Sequence, residues 1–179
     1  LPSGGVKLFN YGIQPSTKRE GLTIPAQVNY VTKGANLYDL GYQHDGSTEV
    51  ITKYLRMTYL WEKLRVQGGA YGAYILFDDR SGVLSFLSYR DPNVAATIEN
   101  YDKAANFLKR LDSSRLSQNE LTKAIIAAIG ELDAYQLPDA KGYTSMMRYL
   151  TNRTEELRQK TRDEVLSTNG EDFIAFGEV

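Results

Sequence analysis

The chain is 179 residues long, enough for one domain with a proper core and short for two. Its formal net charge is −1, with 21 Lys and Arg scattered among 22 Asp and Glu, so it lacks the basic stripe that a nucleic-acid surface needs. It has no cysteine and one histidine, His44, which excludes disulfides, thiolate chemistry and the two or three imidazoles of a usual catalytic zinc site within this chain.

Residues 1–21, LPSGGVKLFNYGIQPSTKREG, mix Gly, Pro, Ser and charge and read as a lead-in or linker. The chain opens at Leu1 without a methionine and stops at Val179 inside the apolar run IAFGEV, as expected for an excised domain of a larger protein. Any targeting signal would then lie outside it. LTIPAQVNYVTKGANLYDL carries Ile24, Val28, Tyr30 and Val31 and predicts a strand, with Pro25 at its start or edge. His44 follows in GYQHDGST, a polar setting that predicts an ordinary surface histidine.

A helix is predicted over about Ser47 to Arg65, capped by Ser47 or Thr48 with Glu49 in its first turn. Its apolar stripe is Val50, Ile51, Tyr54, Leu55, Trp61 and Leu64, widened by Tyr59 and Leu60. Gly68 to Phe77 and Val83 to Tyr89 then read as the two strands of a hairpin closed by DDRSG. A second helix should be capped by Asp91, with Pro92 at its first position and Val94, Ile98, Tyr101, Ala105 and Leu108 facing inward. A third opens with a capping box from Ser117 to Glu120 and buries Leu121, Ile125, Ala128, Ile129 and Leu132. QLPDAKG breaks the chain, and helices over about 143–151 and 154–166 follow. Strand, helix, hairpin and then several helices define an α+β fold, an antiparallel sheet with helices packed on it. No segment approaches the roughly 20 consecutive apolar residues of a membrane-spanning helix.

The stretch LRVQGGAYGAY, Leu64 to Tyr74, raises the functional question. Its glycines Gly68, Gly69 and Gly72 follow a helix and precede a strand, the reverse of a phosphate loop, so nucleotide binding is set aside. A glycine stop with Gly68 in the left-handed position accounts for one of the three. Arg65 and Tyr71 stand six residues apart across the turn, a cation and a phenol suited to a carbonyl oxygen that gains negative charge. Gly68 and Gly69 between them would let a substrate backbone approach closely. The same two residues also suit plainer roles, an arginine on the last helix carbonyls and a half-buried tyrosine. The paired acids Asp78–Asp79 and Glu155–Glu156 read as a turn and a first helical turn, with nothing to desolvate them for acid–base work.

VNYV (Val28 to Val31), LRVQGGAYG (Leu64 to Gly72), SYRDPN (Ser88 to Asn93) and LPDAKG (Leu137 to Gly142), in this order, resemble the C-terminal portion of presequence proteases. These are inverzincins, pitrilysin/insulinase-type zinc peptidases related to insulin-degrading enzyme, and the resemblance covers about Leu22 to Val179. It implies that 22–179 is part of the metal-free C-terminal half of a zinc metalloendopeptidase. The zinc would be bound by an inverted H-x-x-E-H motif in an N-terminal half of the same protein, and this chain has no such motif. It further implies that the two halves close around unstructured peptide substrates. Arg65 and Tyr71 would then be the catalytic residues supplied from this side, and Gly68 and Gly69 would be substrate-binding. A fragment of this kind would be inactive alone. Its compartment would be the cytoplasm in a bacterium, and the mitochondrial matrix or chloroplast stroma in a eukaryote. Two other readings stay open: an inactive scaffold or peptide-holding domain of the same superfamily, and an unrelated α+β binding module.

Overall fold

The computed structural model describes residues 11–12, 19–111 and 115–179, so most of the expected lead-in lies outside the described residues. Among them are three strands and six helices. Strand β1 (Asn29–Asn36) precedes a single 3-10 turn (Tyr38–Leu40), then helix α1 (Ser47–Leu55), which continues without a break as a π-helix (Arg56–Val66). The hairpin β2 (Gly72–Asp78) and β3 (Val83–Asp91) follows, and then α2 (Val94–Leu108), α3 (Gln118–Leu132), α4 (Pro138–Leu150), α5 (Glu155–Ser167) and α6 (Gly170–Glu178). The sheet is antiparallel in the order β1-β3-β2, which places β3 in the centre. This is the expected α+β architecture.

Period-two alternation gives the sheet one wet and one dry face. In β2, Ala73 and Ile75 are buried while Tyr74 and Leu76 are exposed. Helix α2 covers β1 and β3, whereas α1 and its continuation lie against β2 and carry α3 and α5. Val50, Ile51, Leu55, Leu60, Leu64, Val165 and Phe173 are almost fully buried, each contributing about 1.5–3 kcal/mol of transfer free energy.

The helix of the 47–66 region forms where expected, but its winding changes the buried face. A π-helix advances by more residues per turn than an α-helix, so Leu55, Leu60 and Leu64, at steps of five and four, share one side. Trp61 is left off that side and is 48% exposed, contrary to its predicted place in the core.

Several boundaries move for local reasons. β1 begins at Asn29, so Ile24 and Val28 precede it, and Ile24 is exposed. β3 runs on to Asp91, which delays α2 until Val94. The inward face of α2 is then Thr97, Tyr101, Ala104 and Leu108, with Val94 and Ala105 exposed. Ser117 makes no side-chain cap, and the Glu120 carboxylate accepts instead from the Tyr54 hydroxyl at 3.3 Å. Leu132 is exposed rather than buried. Pro138 opens α4 instead of breaking the chain, as a proline at a first helical position can. No residue of α4 is buried, and Tyr143, Tyr149 and Leu150 face solvent. The closing apolar run is a sixth helix, capped reciprocally by Asn169 and Asp172, which packs Phe173 edge-on against Tyr54 at 5.1 Å.

Candidate functional site

The junction between the π-helix and β2 is built from backbone constraints. The helix ends with the Gln67 N–H on the Glu62 carbonyl (3.0 Å), and the chain then wraps back through Gly69 N–H to Arg65 O (3.0 Å) and Ala70 N–H to Leu64 O (2.8 Å). Gly69, not Gly68, is the left-handed residue of this stop, with φ +76°. Gly68 is required for a different reason: a Cβ there would lie 2.7 Å from the Leu64 carbonyl oxygen and 2.9 Å from that of Lys63. Its own carbonyl accepts from Asn93 Nδ2 at 2.8 Å. Local geometry therefore explains both glycines without a ligand.

The wrap sets Arg65 and Tyr71 at one end of the sheet, each with its own support. The Arg65 guanidinium lies 4.1 Å from the centre of the Trp61 ring, one helical turn earlier. Tyr71 is 65% exposed; its ring meets Tyr89 edge-on at 5.8 Å, and the Arg90 guanidinium stands 5.8 Å from its centre. Neither the Arg65 guanidinium nor the Tyr71 hydroxyl makes a hydrogen bond among the described residues, and no contact joins the two heads. Stacking holds a guanidinium through its face and leaves the in-plane donors free. The site can thus offer a phenolic donor and an arginine fork to an incoming carbonyl or carboxylate.

Sequence reasoning missed the residues that support this pair. Trp61 was expected in the core, although its four-residue spacing from Arg65 on one helix face was a usable signal. Tyr30, Tyr89 and Arg90 join Tyr71 in a surface cluster, with Tyr30 and Tyr89 edge-to-face at 5.3 Å and Arg90 5.4 Å from the Tyr89 ring. Asp91, expected as a helix cap, is the last residue of β3 and is almost fully buried. Its carboxylate accepts from Thr97 Oγ1 (2.6 Å) and from the Asn93 N–H (2.7 Å), and its carbonyl accepts from Asn29 Nδ2 (2.8 Å).

His44 is half-buried rather than a surface residue, stacked on Phe77 at 5.8 Å with Nε2 enclosed and unpartnered among the described residues. The residues present do not fit a zinc ion. This one imidazole is committed to Phe77, and no three His, Asp or Glu side chains converge among the described residues. No described helix is long and apolar enough to cross a membrane. A cavity of about 470 Å³ among the β2–β3 turn, α3, α4 and α5 is lined by neither Arg65 nor Tyr71, and the same holds for an open trough along α5. The candidate site is an open surface.

Comparison with known proteins places the chain among domains of a peptidase family. The sequence pattern described as "PreP C-terminal domain" matches residues 19–179, and the chain belongs to that family, the C-terminal domains of presequence protease-like peptidases. It is 50% identical over 177 residues to presequence protease 1, chloroplastic/mitochondrial, of Arabidopsis thaliana, an alignment covering 99% of this chain and 16% of that protein. Protein HypA of Clostridium perfringens is 37% identical over 166 residues, covering 93% of this chain and 17% of the relative. The mitochondrial presequence protease of Saccharomyces cerevisiae is 28% identical over 172 residues, covering 94% and 17%. The chain thus spans about a sixth of the length of these curated relatives.

Proposed function

We propose that this chain is the C-terminal, substrate-facing part of a zinc metalloendopeptidase that degrades unstructured peptides. In this reading the Tyr71 hydroxyl donates to the peptide carbonyl oxygen that gains negative charge during hydrolysis. Arg65 holds a neighbouring backbone carbonyl and fixes the register of the peptide. Gly68 and Gly69 keep the rim between them free of side chains. Zinc would be held by an N-terminal half of the same protein, which would close on this surface. The compartment follows the source, the cytoplasm in a bacterium and the mitochondrial matrix or chloroplast stroma in a eukaryote.

The observation that carries the reading is that both head groups have fixed supports and unused donors. Trp61 carries one, and Tyr89 with Arg90 carries the other. Water takes those donors in the free chain, and a substrate carbonyl can replace it. The test is Tyr71→Phe in the full-length protein, assayed on an unstructured peptide. A large loss of turnover supports the assignment. Unchanged turnover removes Tyr71 as the donor, whereas a wild-type full-length protein without turnover would leave the domain an inactive scaffold or peptide-holding module of its superfamily.

A further inference from the structure

The pairing of the central strand slips by one residue at the site. Asn29 pairs with Asp91 but Val31 pairs with Ser88, so Tyr89 and Arg90 of β3 together face the single residue Tyr30 of β1. This is a β-bulge, a device that re-aims side chains and is frequent beside active sites. On the other side of the same strand, the Tyr71 N–H is shared between the carbonyls of Tyr89 (3.1 Å) and Arg90 (3.3 Å). The buried Asp91 clamps the next position through Thr97, Asn93 and Asn29.

Arg90 sits in the bulge at φ +50°, a left-handed conformation that glycine or asparagine adopts more readily. An arginine in that position costs stability, and its side chain recovers none through a hydrogen bond or ion pair among the described residues. What the side chain does touch is the faces of Tyr71 and Tyr89. A strained residue held by a surrounding clamp, with its guanidinium beside the two exposed phenols of Tyr89 and Tyr71, points to function.

We propose that Arg90 is a positioning residue for Tyr71. The bulge directs its guanidinium over the ring, and guanidinium and Tyr89 edge together hold the phenol in one orientation. The proposal rests on the reading of Tyr71 as a donor to the substrate carbonyl, and it assigns Arg90 no contact with substrate.

The test uses the full-length protein carrying Arg90→Gly, Arg90→Lys, Tyr71→Phe and the double variant Tyr71→Phe/Arg90→Gly. Glycine relieves the backbone while deleting the guanidinium, so stability and turnover should move apart. We expect an unchanged or raised Tm, kcat lowered by about 2- to 5-fold, the size of effect that an exposed cation–π contact can carry, and KM nearly constant. Arg90→Lys should recover part of the loss by restoring a cation. The double variant should be no slower than Tyr71→Phe alone, because there is then no donor left to position. Wild-type kcat for Arg90→Gly, with Tyr71→Phe impaired, overturns the role of Arg90 and spares that of Tyr71. Fully multiplicative losses in the double variant, or a fall in Tm that accounts for the lost activity, also overturn it. Wild-type kcat for Tyr71→Phe removes the donor reading and this one with it.

Discussion

Trp61 carries the Arg65 guanidinium 4.1 Å from the centre of its ring, and the indole that does so is itself 48% exposed. A half-exposed tryptophan covered by an arginine is a support for that arginine rather than a piece of core. Such stacking at an exposed site is worth about 0.5–1 kcal/mol. If Arg65 holds a substrate carbonyl, Trp61→Ala in the full-length protein should raise KM by about 2- to 5-fold, with kcat less affected. Steady-state kinetics on an unstructured peptide measure this, and an unaltered KM would show that Arg65 does not depend on Trp61 for its position.

Tyr71→Phe should act on the other kinetic constant. The phenol would donate chiefly to charge that develops during reaction, so kcat and kcat/KM should fall together, by about 10²-fold as for one lost oxyanion donor. The ring, its edge contact with Tyr89 and the cation beside it are all kept in phenylalanine. A loss confined to KM would mean that Tyr71 only binds.

The helices and hairpin were legible because their apolar spacing is long and regular, as Leu121, Ala128 and Tyr101 show. An α-helical period puts Trp61 on the apolar stripe, whereas the segment winds as a π-helix and turns it outward. The bulge at Tyr89 and Arg90 leaves no mark in the alternation of β3, since it lies in the pairing with β1. Helix α6 was hidden for another reason: nine residues reading GEDFIAFGE give barely two turns of periodicity, and its signal lies in the Asn169–Asp172 cap. Arg65 and Tyr71 stood out through the order helix, glycines, strand. The support of Arg65 lies in the spacing of Trp61, but that of Tyr71 does not show, because Tyr89 reaches it only through tertiary pairing.

The chain by itself should neither hydrolyse peptides nor bind zinc stoichiometrically. In the proposed reading it contributes only donors for a carbonyl oxygen, and its single histidine is packed on Phe77. Equilibrium dialysis followed by metal analysis, and a fluorogenic peptide assay, measure the two properties. Zinc bound at one per chain, or turnover above background, would contradict the division of labour proposed here.

Two core tyrosines make the fold sensitive to alkali. Burial, reinforced by the charge of Glu120, pushes the Tyr54 phenol up to about 12, and burial with the charge of Asp91 does the same for Tyr101. The folded state therefore holds these protons more tightly than the unfolded chain, whose phenols titrate near 10.0. The stability they contribute is intact below about pH 10 and is lost as the pH rises towards about 12. Tyr101→Phe removes one of these titrations together with the bond from its hydroxyl to the Val31 carbonyl (3.2 Å). Denaturant unfolding should show about 1 kcal/mol lost at neutral pH and a shallower decline between pH 10 and 12. An equally steep decline in the variant would argue against Tyr101 as a source.

Glu49 offers the opposite case, a group that weakens the fold at neutral pH. It lies half-buried in the first turn of α1. Burial raises its pKa, opposed by the charges of His44 and Lys53 and reinforced by those of Asp79 and Glu131. Because the folded state binds this proton more tightly than the unfolded chain, stability falls as the pH rises through the two values and the carboxylate ionises. Glu49→Gln keeps the shape without the charge. It forgoes the attraction between a first-turn carboxylate and the helix dipole, about 0.3–1 kcal/mol, so the net gain at pH 7 should be below about 1 kcal/mol. At a pH below the unfolded value, glutamic acid and glutamine are both neutral, and the two proteins should have the same stability. Paired denaturant titrations at pH 7 and at acid pH isolate the effect, since every other carboxylate is common to both proteins. A variant less stable than the wild type at pH 7 would show that the charges of Lys53 and His44, with the helix dipole, outweigh burial at this position.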